Sequence, residues 1–138
     1  MRFPTAFLFV AAIGVLGCGR IREVKGCRAL ARLVNPVLDD ISERVAHGKG
    51  ADPYRYAAER YGKLASDLKK FDVGIPRAEK SIDDLGTALR EASTQSAKLA
   101  EALEKRDVVV AASARRDLGH VARLEKAIVT RIDNDCGG

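Results

Sequence analysis

The chain has 138 residues and a mass of 14.9 kDa, and 24 Lys and Arg residues against 19 Asp and Glu residues give a net charge of +5. This length suits one domain and leaves no room for a second large one, and a hydrophobic fraction of 46% excludes a disordered chain. Three of the four Phe residues lie within the first ten positions, so the core must be aliphatic and Ala-rich, which favours helices.

The amino terminus has the pattern of a secretory leader. Met1 and Arg2 supply positive charge, and no charged residue follows until Arg20. The uncharged run from Phe3 to Gly19 is 17 residues long. That is shorter than the ~20 residues needed to cross a bilayer core. We therefore predict a hydrophobic signal helix at residues 1–17.

The end of this run, Val15-Leu16-Gly17-Cys18, resembles the lipobox of bacterial lipoproteins. The resemblance implies that Cys18 is lipidated, becomes the new amino terminus and holds the protein on a membrane through its acyl chains. Gly19 after the cysteine, where Asp would signal retention, implies the outer membrane with the domain facing the periplasm. Two alternatives stay open: an ordinary leader peptidase could cut after Gly17, or the segment could be retained as an anchor helix.

Two helices are predicted in the first half of the mature chain. The first runs from about Glu23 to Ala46 and contains Pro36, where we expect a kink and no break. A second begins at Asp52, a predicted cap, followed by Pro53, and ends before Gly74. Each has apolar residues at helical spacing: Cys27, Leu30, Val34, Val37, Leu38, Ile41 and Val45 in the first, and Tyr54, Ala57, Ala58, Tyr61, Leu64, Ala65, Leu68 and Phe71 in the second.

Two further helices are predicted after Pro76, separated at Asp107, which is expected to cap the fourth. The alternative is a single long helix through Asp107, as in a coiled-coil stalk. The three β-branched residues after Asp107 favour the break. The apolar positions are Ala78, Ile82, Leu85, Leu89, Ala92, Ser96, Leu99 and Leu103 in the third helix, and Ala111, Ala114, Leu118, Val121, Leu124, Ile128 and Ile132 in the fourth.

Short connections between long helices predict an all-α fold, an up-down-up-down antiparallel four-helix bundle. We place a lipidated tether at residues 18–22, the bundle at residues 23–136 and a tail at residues 137–138. In this topology the start of the first helix and the end of the fourth lie at the same end. This topology brings Cys27 near Cys136. If Cys18 carries lipid, these two are the remaining cysteines, and an oxidising compartment favours a disulfide between them. The alternative is two unrelated buried thiols.

No catalytic, metal or cofactor site is predicted. The cysteines form no C-x-x-C pair, and no Glu-x-x-His or G-x-S-x-G motif occurs. His47 and His120 are expected about 12 residues apart along the bundle, a rise of ~18 Å, and cannot share a site. Export and the scarcity of aromatic residues exclude nucleic acid as a partner.

The predicted function is therefore binding without catalysis, with another cell-envelope protein as the partner. Tyr56 lies off the apolar stripe of the second helix, and with Arg55 and Arg60 it is the predicted contact, because Tyr and Arg are enriched at binding hot spots. The alternative is a small-ligand or signal-sensing bundle. It would use an internal cavity around the small residues Ala92, Ser96 and Gly119.

Overall fold

The computed structural model describes residues 21–137, with side chains from Lys25 onward. This part of the chain forms four helices and contains no strand: α1 (Ile21–His47), α2 (Asp52–Lys69), α3 (Pro76–Glu104) and α4 (Val108–Gly137). The all-α prediction is confirmed, and each helix differs from its predicted bounds by only a few residues. The signal helix and Cys18 lie outside the described residues.

The helices pack as the predicted up-down-up-down bundle, because each connection is short enough to reverse the chain. One end of the bundle holds Cys27 and Cys136, and we call it the cysteine pole. There Arg77 at the start of α3 donates a 2.9 Å hydrogen bond to the carbonyl oxygen of Asp135 near the end of α4. At the other end, the opposite pole, Arg55 in the first turn of α2 forms an ion pair with Glu104 at the end of α3. The cysteine pole thus holds the start of α1 and the α2–α3 connection, and the opposite pole holds the other two connections.

Small side chains make α3 the central element of the bundle. Its backbone approaches both α2 and α4 closely, whereas α1 lies along α2 and meets α4 over a short stretch. Many buried residues of α3 are Ala, Ser or Gly, and these allow a neighbouring backbone to come close. Buried residues of α1 are larger and hold the neighbours farther away. The small buried residues of α3 are Ala78, Ser81, Gly86, Ala88, Ala92, Ser96, Ala100 and Ala102.

The core has two parts. The larger cluster runs from the cysteine pole to the middle of the bundle and includes Leu30, Leu64, Leu85 and Ile128. A smaller cluster near the opposite pole contains Leu99, Ala102, Ala111 and Ala114, with Tyr54 packed against it. The apolar stripes predicted from the sequence therefore face the interior of the bundle, with the exception of Leu124 in α4.

The break between α3 and α4 occurs where the sequence predicts it. The Asp107 carboxylate accepts a 3.0 Å hydrogen bond from the backbone N–H of Val110, so Asp107 caps α4 as expected. Arg106, just before it, has a φ of 55°, a left-handed conformation that costs a non-glycine residue ~1–2 kcal/mol. One continuous α3–α4 helix is therefore excluded.

One local prediction, that Asp52 caps α2, was wrong. Ala51, with no side-chain hydrogen bond, is the cap residue of α2, and Asp52 lies inside its first turn, where it pairs with Arg55 at 2.9 Å. Sequence reasoning also missed the role of Gly26, where a Cβ atom would overlap the carbonyl oxygen of Val73 in the α2–α3 connection. A glycine at this position lets that connection close against α1. The helix continues through Pro36, as expected.

Candidate functional site

Cys27 and Cys136 meet at the cysteine pole. Their sulfur atoms lie 2.05 Å apart and their Cα atoms 6.0 Å apart, which is disulfide bonding distance. Cys27 is buried, and Cys136 is partly buried against the same core cluster. The first and fourth helices are therefore joined where the topology predicted, 109 residues apart in sequence.

The three residues predicted as a partner contact lie together on α2, but each has partners within the chain. Tyr56 is partly buried and donates a hydrogen bond to the Asp40 carboxylate of α1. Arg60 lies 3.6 Å from the same carboxylate, and the guanidinium of Arg44 sits 4.4 Å from the centre of the Tyr56 ring. The hydrogen bond to Asp40 raises the pKa of the Tyr56 phenol. This cluster joins α1 to α2, and its use by a partner stays a prediction.

The opposite pole carries the most exposed large apolar side chains among the described residues. Val108 is 78% exposed and Val109 80% exposed, immediately after the Asp107 cap. Arg106 beside them and Lys49 in the α1–α2 connection make no ion pair with any described residue. Two other cations of this pole are paired, Arg55 with Asp52 and Glu104, and Lys105 with Glu101. The pole therefore combines apolar surface with unpaired positive charge.

Two open grooves run along the outside of the bundle. One, of about 490 Å³, lies between α2 and α3 and is lined by Gly62 and Gly86 among others. The other, of about 720 Å³, lies between α3 and α4 and is lined by Ala88, His120, Val121, Leu124, Ile128, Arg131 and others. Neither groove is lined by Ala92, Ser96 or Gly119, the residues of the predicted cavity. Ala92 and Ser96 are buried in α3, at 2% and 1% exposure.

Sequence reasoning missed a buried carboxyl in the middle of the bundle. Glu125 of α4 is only 4% exposed, and its Oε1 atom has no hydrogen-bond partner among the described residues. Burial raises the pKa of Glu125 to about 7. On α2, burial and the charge of Glu125 both raise the pKa of Tyr61. A buried, unpaired carboxyl is costly, so this position needs an explanation.

The burial of Glu125 corrects the predicted stripe of α4. Leu124, which we expected in the core, is 46% exposed and lines the α3–α4 groove. Both positions fit the three- and four-residue spacing between Val121 and Ile128. Hydrophobicity alone selected Leu124, and only the packing of α4 shows that Glu125 faces inward.

The described residues contain no group of His, Cys, Asp and Glu side chains arranged to hold a metal ion. His47 and His120 are both exposed, the first at the end of α1 and the second along α4. Within residues 21–137, none of the four helices has the length and apolar character needed to cross a membrane.

Comparisons with protein families, with curated proteins and with solved structures find no match to this chain.

Proposed function

We propose that the chain is an exported lipoprotein, anchored in the outer membrane through lipid on Cys18, whose helical bundle binds another cell-envelope protein without catalysis. The observation that carries the proposal is the meeting of Cys27 and Cys136. It leaves Cys18 as the one cysteine without a partner in the sequence, at the end of the leader, where the lipobox resemblance puts the acylated residue. A paired thiol is also what an oxidising compartment favours.

The geometry supports binding at a distance from the membrane. Only Gly19 and Arg20 separate Cys18 from the first residue of α1, so the cysteine pole would lie next to the lipid. The 27 residues of α1 then carry the opposite pole ~40 Å away. There Val108 and Val109 offer apolar contact, and Lys49 and Arg106 favour an acidic partner surface.

The anchor is tested by the intact mass of the mature protein extracted from membranes, with and without reduction. We expect a chain that begins at an acylated Cys18 and gains two hydrogen atoms on reduction. A Cys18→Ser variant should lose the acyl mass and the membrane attachment while keeping the Cys27–Cys136 pair. An unmodified chain that starts at Cys18, or one that keeps residues 1–17, would overturn the lipoprotein proposal.

Binding is tested by a photo-crosslinking amino acid placed at Val109 in cells, with the same amino acid at exposed Ala127 as a matched control on α4. We expect an envelope protein to be crosslinked from position 109 and not from position 127. The crosslink should weaken when Arg106→Glu reverses the local charge. Equal crosslinking from both positions would show that the opposite pole is not the binding surface.

A further inference from the structure

The middle of α4 has two neighbouring residues that compete for one inward position. Successive helical residues are 100° apart, so buried Val121 and Ile128 lie ~20° apart around the helix axis. On the same projection Leu124 lies ~60° to one side of Val121, and Glu125 lies ~40° to the other side. A rotation of this segment by roughly 50° would bring Leu124 inward and carry Glu125 toward solvent.

In the structure the less favourable of the two residues is inside. The Glu125 side chain is 4% exposed with Oε1 unpartnered, while the apolar Leu124 is 46% exposed. This arrangement suits a protonated carboxyl, which carries no charge into the core. It does not suit a carboxylate, because an unpaired ion in an apolar environment is strongly disfavoured.

No charged neighbour in the described residues compensates an ionised Glu125. The ionisable group that interacts with it is Tyr61 of α2, a neutral phenol whose pKa is itself raised. Burial alone raises the pKa of Glu125, to about 7, so no charged group of α1, α2 or α3 lowers it. Several charged groups on these helices have partners of their own: Asp40 with Arg60, Asp84 with Arg131 and Lys80, Arg90 with Thr87, and Glu91 with Gln95.

We propose that Leu124 and Glu125 form a proton-operated switch: the neutral carboxyl holds α4 in the structure described, and the carboxylate turns outward while Leu124 takes its place. The switch changes the surface as well as the core. Leu124 lines the α3–α4 groove beside Ala88, Val121 and Ile128. Turning the segment would remove the Leu124 isobutyl group from this groove and carry the Glu125 carboxylate to the opposite flank of α4. The groove, whose lining also includes the charged residues Asp84, Glu91 and Arg131, would therefore lose apolar surface above neutral pH.

The test follows both residues by NMR in the oxidised protein, between about pH 5 and about pH 8.5, a range that brackets the pKa of Glu125. The ¹³C chemical shift of the Glu125 carboxyl reports its ionisation. The relaxation of the Leu124 methyl groups by a soluble paramagnetic agent reports their exposure. We expect the Leu124 relaxation enhancement to fall several-fold as pH rises, with the same midpoint as the Glu125 titration.

Two variants serve as controls. Glu125→Gln cannot ionise, so its Leu124 methyls should stay exposed at every pH. Glu91→Gln removes an exposed carboxylate that also lines the groove and should behave like the wild type.

Several outcomes would overturn the proposal. The Glu125 carboxyl could titrate with the ordinary pKa of a carboxyl, or the exposure of the Leu124 methyls could stay constant while Glu125 titrates. The Glu125→Gln variant could show the same pH response as the wild type. Finally, the methyl signals could lose their chemical-shift dispersion at high pH, which would indicate unfolding and no switch. If Glu125→Gln does not fold, the two midpoints of the wild type still decide the question, since they must coincide.

Discussion

Removing the Cys27–Cys136 bridge should destabilise the bundle strongly. The two cysteines are separated by 109 residues, so the bond closes a loop that contains nearly all of the described fold. In the chain-entropy model a loop of this length lowers the entropy of the unfolded chain by an amount worth about 5 kcal/mol at 25 °C. Domains of this size are stable by only about 5–15 kcal/mol, so reduction should leave the bundle marginal.

The assay is urea unfolding of the leaderless domain, followed by helical circular dichroism, with and without a reductant. With a slope of about 2 kcal/mol per molar urea, the midpoint should fall by about 2–3 M on reduction. A Cys27→Ala, Cys136→Ala double variant separates the bond from the side chains. Its stability should lie within about 1 kcal/mol of the reduced wild type, whichever redox condition is used. A loss below about 1 kcal/mol on reduction would refute the reasoning.

Three further predictions, each with a substitution and two of them with a matched control, are tested by the same unfolding assay. Gly26→Ala should destabilise the bundle by about 1–2 kcal/mol, because the overlap of the new Cβ with the α2–α3 connection outweighs the gain in helix propensity. Its control, Gly86→Ala, should stabilise the bundle by up to about 1 kcal/mol, because the new Cβ would make only ordinary contacts. Arg106→Gly should stabilise the bundle by about 0.5–1 kcal/mol, because glycine adopts a φ of 55° without strain. Its control, Lys105→Gly, should destabilise the bundle, because Lys105 has an ordinary φ of −80°. Because burial raises the pKa of Glu125 to about 7, the folded state binds this proton more tightly than the unfolded state. Stability should therefore fall by up to about 3 kcal/mol as pH rises from about 4.5 to above 7, and a Glu125→Gln variant that kept this fall would contradict the assignment.

The helices and their order follow from the sequence because each apolar stripe is long and interrupted by residues with clear local chemistry. Asp107 is an example: its carboxylate caps α4 through Val110, which any chain with this local sequence can do. Gly26 is different, because its role depends on the α2–α3 connection, nearly 50 residues away, and no local pattern reports such a contact.

The choice between Leu124 and Glu125 could not be made from the sequence for a related reason. A spacing of three or four residues admits either position, and the decision depends on how far α4 rotates against α2 and α3. The contact prediction for Tyr56, Arg55 and Arg60 rested on residue type alone. The structure gives these side chains partners within the chain that residue type does not reveal.

Three features of this bundle depart from the usual preferences for backbone conformation and burial. Arg106 has a left-handed conformation, the apolar residues Val108 and Val109 are exposed, and the carboxyl of Glu125 is buried. Departures of this kind are expected where a protein acts. Two of the three lie at the opposite pole, far from the proposed lipid, and the third controls, in the proposed switch, whether Leu124 lines the α3–α4 groove. Of the three, the exposed Val108 and Val109 support the proposed binding function most directly, since a passive tether has no use for exposed apolar side chains.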